Sequence, residues 1–202
     1  ILSSGLLLLA SHLNENRILI LEARLMQDLR GAATAIARDL RRAGHWGDAG
    51  AALWREGSAL RSNPYQSISS VAIAPDTVRM RYSRDSLENN LVDGNEEFGF
   101  RLRNQGIDTM LGGSWQSLTD PATVRVTALR LTSISNDVEQ PELCEKACPP
   151  SGPGVAECPP RLQIRRFSIE ISGESPVEPK IKRSIQTSAR VRNDAMLGAC
   201  PS

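Results

Sequence analysis

Four cysteines carry the most specific chemistry in this 202-residue chain: Cys144, Cys148, Cys158 and Cys200, all in its last third. Four thiols admit three pairings. Cys148 and Cys158 flank Pro149-Pro-Ser-Gly-Pro-Gly154, a turn-rich loop that a disulfide would close. The remaining bridge, Cys144 to Cys200, would tie down the C-terminus. Both are predicted, each contributing about 2–4 kcal/mol, and both imply an oxidising compartment. The rival use is a four-thiolate zinc site, but gaps of 3 and 9 residues suit it poorly, and His12 and His45 lie far off in sequence.

Other charged clusters read as ordinary surface. Asp85 with Asp93-Gly-Asn-Glu-Glu97 gathers hard oxygen ligands of the kind calcium takes, but without the spacing of an EF-hand loop; a solvated hairpin turn is the expected use. Arg38, Arg41 and Arg42 could contact phosphate, yet helix-dipole compensation and solvation account for them. No Gly-x-Ser-x-Gly nucleophile motif, phosphate-cradling glycine loop or paired-carboxylate arrangement occurs, so no catalytic set and no cofactor are expected. Lys+Arg 24 against Asp+Glu 23 gives no global pull toward nucleic acid. Aromatic residues make up 4%, so the core is small and aliphatic, with Trp46 and Trp115 read as core anchors.

The dominant element is the stretch from Ile1 to about Ala43, read as one helix. Its first part, Ile1 to Leu13, is apolar all round apart from small polar residues and His12. From Arg24 onward Leu25, Leu29, Ala32, Ala33, Ile36, Leu40 and Ala43 recur at the spacing of one helical face. No proline occurs before Pro64. Forty-three residues at the helical rise span roughly 65 Å, about twice the diameter of a small domain. Half of this helix therefore needs a partner outside the chain. The 13 residues Ile1–Leu13 fall short of the ~20 needed to cross a bilayer. A chain opening on Ile rather than Met, without a basic segment or small-residue cleavage pattern, reads as a spanning segment lacking its upstream residues. Gly5, with Ser3 and Ser4, is a helix weak point suited to loosening or to close helix packing.

About 155 residues follow, enough for one domain. Gly44 suits the left-handed position after the helix. A loop with a helical turn near Ala51–Glu56 is expected, then short strands at Ser70–Ala74 and Thr77–Tyr82. Glu97–Arg103, with Phe98, Phe100 and Leu102 on one face, turns back at Ile107–Leu111 ahead of Trp115–Leu118. Long strands are expected at Thr123–Ile134, with a bulge near Leu129, at Arg161–Ser172 and at Lys180–Arg192, the last two joined by a Gly173–Pro179 hairpin loop. Asn136–Pro160, with its cysteines and prolines, is expected to be irregular. The fold class is α+β: an antiparallel meander with the earlier strands beside it, covered by the amphipathic half of the helix. Leu25, Leu29, Ile36 and Leu40 are the expected helix-to-sheet contacts.

Three blocks carry a resemblance. Ala23-Arg-Leu-Met-Gln-Asp-Leu-Arg30 continues into Ile36-Ala-Arg-Asp-Leu-Arg-Arg-Ala-Gly-His-Trp-Gly47. Glu97-Phe-Gly-Phe-Arg-Leu-Arg-Asn104 is followed by Trp115 and Leu118-Thr-Asp120. The chain ends near Ser188-Ala-Arg-Val-Arg-Asn-Asp194. In this order the blocks resemble the PilW-type minor pilins of type IV pili. J-type pseudopilins of type II secretion share the helix pattern and the ending less closely. The chain departs from the family at its front, where the prepilin cleavage site and the glutamate after it are missing.

The resemblance implies a ladle fold: residues 1–23 a protruding apolar helix, residues 24–202 a globular head. Ile1, Leu2, Gly5, Leu6, Leu7, Leu8, Leu9 and Leu13 would contact membrane lipid and then neighbouring pilins in the filament. The implied role is structural: priming or capping a type IV pilus, from the inner membrane with a periplasmic head to an extracellular tip. The implied partners are other pilins and minor pilins, with no nucleic acid. An adhesin head, binding through the loops Arg84–Glu97 and Asn136–Pro160, is the reading from another class.

Overall fold

The computed structural model describes residues 2–52, 62–70, 77–150, 158–198 and 200, with residues 2–11, 51, 52 and 70 described by backbone alone. Among the described residues one α-helix, α1 (Leu2–Arg42), precedes nine strands: β1 Ser69–Ser70, β2 Thr77–Arg81, β3 Glu97–Arg103, β4 Gly106–Leu111, β5 Ser114–Ser117, β6 Arg125–Glu139, β7 Arg161–Glu174, β8 Lys182–Arg190 and β9 Ala195–Leu197. A 3-10 turn at Ala49–Ala52 stands where a helical turn was expected. The rest of that turn, and Val71–Ala74 of the first expected strand, lie outside the described residues.

The three long strands form the expected antiparallel meander, and the earlier strands form a separate antiparallel sheet of their own. This first sheet has order β1-β2-β3-β4-β5; the second has order β6-β7-β8, with β9 also on β7. Alternation builds the first: Val78 and Met80 of β2, Phe98 and Phe100 of β3 and Ile107 of β4 point inward and are buried. Gly99 faces outward where β2 lies close, since a Cβ there would stand 2.6 Å from the Val78 carbonyl oxygen. Trp115 crosses this position from β5. It is half-buried on the outer face, with the Arg101 guanidinium 4.1 Å and that of Arg79 5.9 Å from its ring, so it is no core anchor.

β6 carries its register shift between Val126 and Ala128, slightly before the expected place. The extra residue restores Leu129 and Leu131 to the face that holds Val124 and Val126, and all four are buried. The strand then runs on to Glu139, correcting the expectation that residues from Asn136 onward are irregular. Pairing decides this: Asp137, Val138 and Glu139 match Gln163, Leu162 and Arg161 across a proline-rich loop, and local composition gives no sign of it. A 3-10 turn at Pro141–Leu143 follows. Gly173 and Glu174 likewise belong to β7, opposite Arg183 and Lys182, and shorten the expected hairpin loop.

The second half of α1 seals the core. Leu25, Leu29, Ala32, Ala33, Ile36, Ala37, Leu40 and Ala43 form one cluster with Leu129, Leu131, Phe167, Ile169, Ile171 and Ala189 of the second sheet and the buried residues of the first. At roughly 1.5–3 kcal/mol per fully buried aliphatic side chain, this face supplies the main drive for the helix to dock.

Candidate functional site

The helix divides into two environments. His12 to Ile20 is exposed on every side, including Leu13 at 62%, Leu19 at 62% and Ile20 at 53%. Burial begins at Leu21, which packs against the core, and is complete at Leu25. Arg183 of β8 marks the point of departure, donating from Nε to Glu22 Oε1 at 2.9 Å. Of the expected filament contacts, Leu13 is thus free of its own head. The side chains of Ile1, Leu2, Gly5, Leu6, Leu7, Leu8 and Leu9 lie outside the described ones, though the helical backbone reaches Leu2. Leu25, Leu29, Ile36 and Leu40 are all buried at 1% exposure or less. Among the described residues no helix is long and apolar enough to cross a membrane.

At its other end α1 is stopped by residues from three distant segments. Gly44 takes φ +74°, a conformation that strains side-chain-bearing residues. Its N–H donates to the Arg81 carbonyl at 2.8 Å. The last helical carbonyls would otherwise lack donors. Asn193 Nδ2 donates to the carbonyls of Ala43 at 3.0 Å and Arg42 at 3.3 Å, and the Arg192 N–H to that of Arg41 at 3.1 Å. Arg165 of β7 clamps the junction through the carbonyls of Gln66 and Asn193. Burial lowers its pKa, and nearby Asp194 partly offsets this. The helix-end block and the Val191-Arg-Asn-Asp194 block, 150 residues apart as counted from Ala43 to Asn193, are therefore one structural unit. Sequence reasoning noticed both blocks and missed that they touch.

The acidic stretch is a solvated turn only in part: Asp93, Gly94 and Asn95 are exposed, but Glu96 is not. Glu96 is fully buried and accepts from the N–H groups of Arg84 at 2.8 Å and Asp93 at 2.9 Å, the latter the N-cap half of a capping box. Glu88 accepts from the N–H groups of Gly47 and Asn90 and from the buried Tyr65 hydroxyl. Desolvation works to raise the Glu88 pKa, but the hydrogen bonds from Ser83, Asn90, Gly47 and Tyr65 together lower it. Tyr65 is pushed up, first by burial and then by Glu88 and Glu96. Asp85 is raised by desolvation and then by Glu96, and its Oδ2 has no hydrogen-bond partner. Glu88 pins the loop 83–96 to the segment after the helix through Gly47, where Trp46 also donates to Asn90 at 2.9 Å, and Glu96 closes the loop on itself. Arg42 lies 4.8 Å from the Tyr82 ring, which stacks on Phe98, and Arg38 pairs with Asp39 at 3.2 Å, so these two arginines already have partners.

The structure joins Cys144 to Cys200 and Cys148 to Cys158. Sulfurs of Cys144, Cys148 and Cys158 lie within 4.8 Å of one another, the only such metal-competent group among the described residues. All are oxidised, so none offers a thiolate to zinc.

The family model of prepilin peptidase-dependent protein B (PpdB) matches residues 19–191. No curated protein matches the chain, and no solved structure does. The matched span opens at the last exposed turn of α1 and closes just after β8, before Asn193.

Proposed function

The chain belongs to the prepilin peptidase-dependent protein B family, one of type IV pilin-related proteins, and from that premise we propose that it is a structural minor pilin of the PilW type. Its task is to prime or cap a type IV pilus. The head folds at the periplasmic side of the inner membrane, and the apolar start of the helix is held there before assembly. That helix then inserts among the helices of neighbouring pilins, the ladle's handle in a shared bundle.

The observation that supports this most is the exposed run Leu13, Ile18, Leu19 and Ile20, which the chain's own head leaves uncovered. Lipid and a helix bundle offer comparable apolar burial, so close packing and polar contacts decide the transfer between them. The protein has no catalytic role in this reading. Deleting it is expected to make surface filaments scarce in electron micrographs while protein secretion stays normal. Normal filaments with failed secretion would place it instead in a type II pseudopilus. If both are normal, assembly is not its task.

A further inference from the structure

β6 and β7 end together, and their ending gathers three sulfurs in one place. Glu139 faces Arg161 at the end of their ladder. Just beyond it the Gln140 N–H donates to the Pro160 carbonyl at 2.8 Å. The 3-10 turn Pro141–Leu143 leads into Cys144, whose N–H donates to the Pro141 carbonyl at 3.1 Å. Cys158 arrives from the other side, two residues before Pro160. Cys144, though bonded to Cys200, therefore stands beside the other bridge: its sulfur and those of Cys148 and Cys158 lie within 4.8 Å of one another. Cys200 stands outside that group. All four cysteines are half-buried, within reach of a dissolved thiol. A disulfide stabilises through the loop it closes, wherever the bond itself sits. Stability therefore gives no reason for two bridges to lie together. Exchange does, because a thiolate must reach a disulfide sulfur in order to displace the sulfur bonded to it.

We propose that the two bridges form a single site of thiol–disulfide exchange, at which a dithiol frees the C-terminal segment and Cys144 takes over one sulfur of the Cys148–Cys158 pair. A thiolate of the dithiol attacks Cys200, forming a mixed disulfide as the Cys144–Cys200 bond breaks and Cys144 leaves as a thiolate. Cys144 then attacks Cys148 or Cys158. A bond to Cys144 forms, the Cys148–Cys158 bond breaks, and the sulfur not attacked leaves as a thiolate. The second thiolate of the dithiol displaces Cys200 from the mixed disulfide. The dithiol has then become a disulfide, giving two electrons and two protons to the chain, which keeps one bridge and holds two thiols. Cys200 is one of them, and β9 stays on β7 through its three ladder pairs without the covalent tie beyond it. Loop-closure entropy changes slowly with length. A bridge from Cys144 to Cys158 and one from Cys148 to Cys158 therefore have similar chain entropy, and the remaining thiol is shared between Cys144 and the inner pair. The site acts whether or not the chain enters a filament.

The test is non-reducing peptide mapping of the full chain in detergent, quenched in acid and alkylated. Cleavage after Lys146 and Glu157 separates Cys144, Cys148 and Cys158. With one equivalent of dithiothreitol, a new bridge from Cys144 to Cys148 or Cys158 is expected, with Cys200 alkylated. Cys144 and Cys200 alkylated beside an intact Cys148–Cys158 bridge would overturn the proposal. So would Cys148 and Cys158 alkylated beside an intact Cys144–Cys200 bridge. Cys200→Ser leaves Cys144 without its partner and needs no reductant. In that variant the new bridge should appear within about tenfold of the Cys148–Cys158 bridge, and urea well below the unfolding midpoint should not increase it. Cys144 alkylated alone, or a new bridge formed only when the head is unfolded, would overturn the proposal.

Discussion

Asn193 does at the end of α1 what the helix cannot do for itself: its amide supplies donors to two terminal carbonyls. Asn193→Ala should therefore destabilise the head by about 1–2 kcal/mol, the range for a lost cap, as read by urea denaturation. Gly31 is the opposite case. It sits mid-helix, exposed, and a Cβ there would meet nothing within 4 Å. Gly31→Ala should raise stability by about 1 kcal/mol through helix propensity. The acidic loop gives a pH dependence with two signs. Glu88 has a lowered pKa in the fold, so its contribution is present above its ordinary value of 4.5 and lost as the pH falls further. Asp85 has a raised pKa, so its ionisation opposes folding at neutral pH and ceases to do so in acid. Asp85→Asn should thus raise the urea midpoint at pH 7 and lose that advantage near pH 3. A midpoint equally shifted at both values would show that charge is not the cause.

At the scale of elements, what could be read from the sequence depends on whether the deciding interaction is local. α1 was legible because its period is written in Leu25, Leu29, Ile36 and Leu40, all buried in the structure. β2 and β3 were legible from two-residue alternation over Val78, Met80, Phe98 and Phe100. The far half of β6 was not, because Ser, Asn and Asp there are ordered by partners on β7 rather than by their own propensity. The division into two sheets was hidden for the same reason. The role of Glu96 was hidden because a buried carboxylate that accepts two backbone N–H groups looks, in sequence, like any exposed one. The disulfides act on elements too. Closing separations of 56 and 10 residues, they should contribute about 4 and about 3 kcal/mol respectively in the chain-entropy account. Cys144→Ser with Cys200→Ser should therefore lower stability more than Cys148→Ser with Cys158→Ser, as compared by thermal melts.

For the whole molecule, the arrangement separates stability from assembly. The head is closed by the second half of α1, clamped at Gly44 by segments from both sheets and the C-terminal region. Residues His12–Ile20 of the helix are exposed and contribute no buried side chain to that closure. A substitution there should leave the head's fold intact and change only where the protein goes. The measurement that bears most directly on this is the amount of protein in sheared surface filaments, compared between the native chain and Leu19→Glu. The account predicts native protein in the filament fraction, Leu19→Glu depleted from it at least tenfold, and equal melting temperatures for the two. Equal incorporation of both, or no native protein in the filaments, would contradict it.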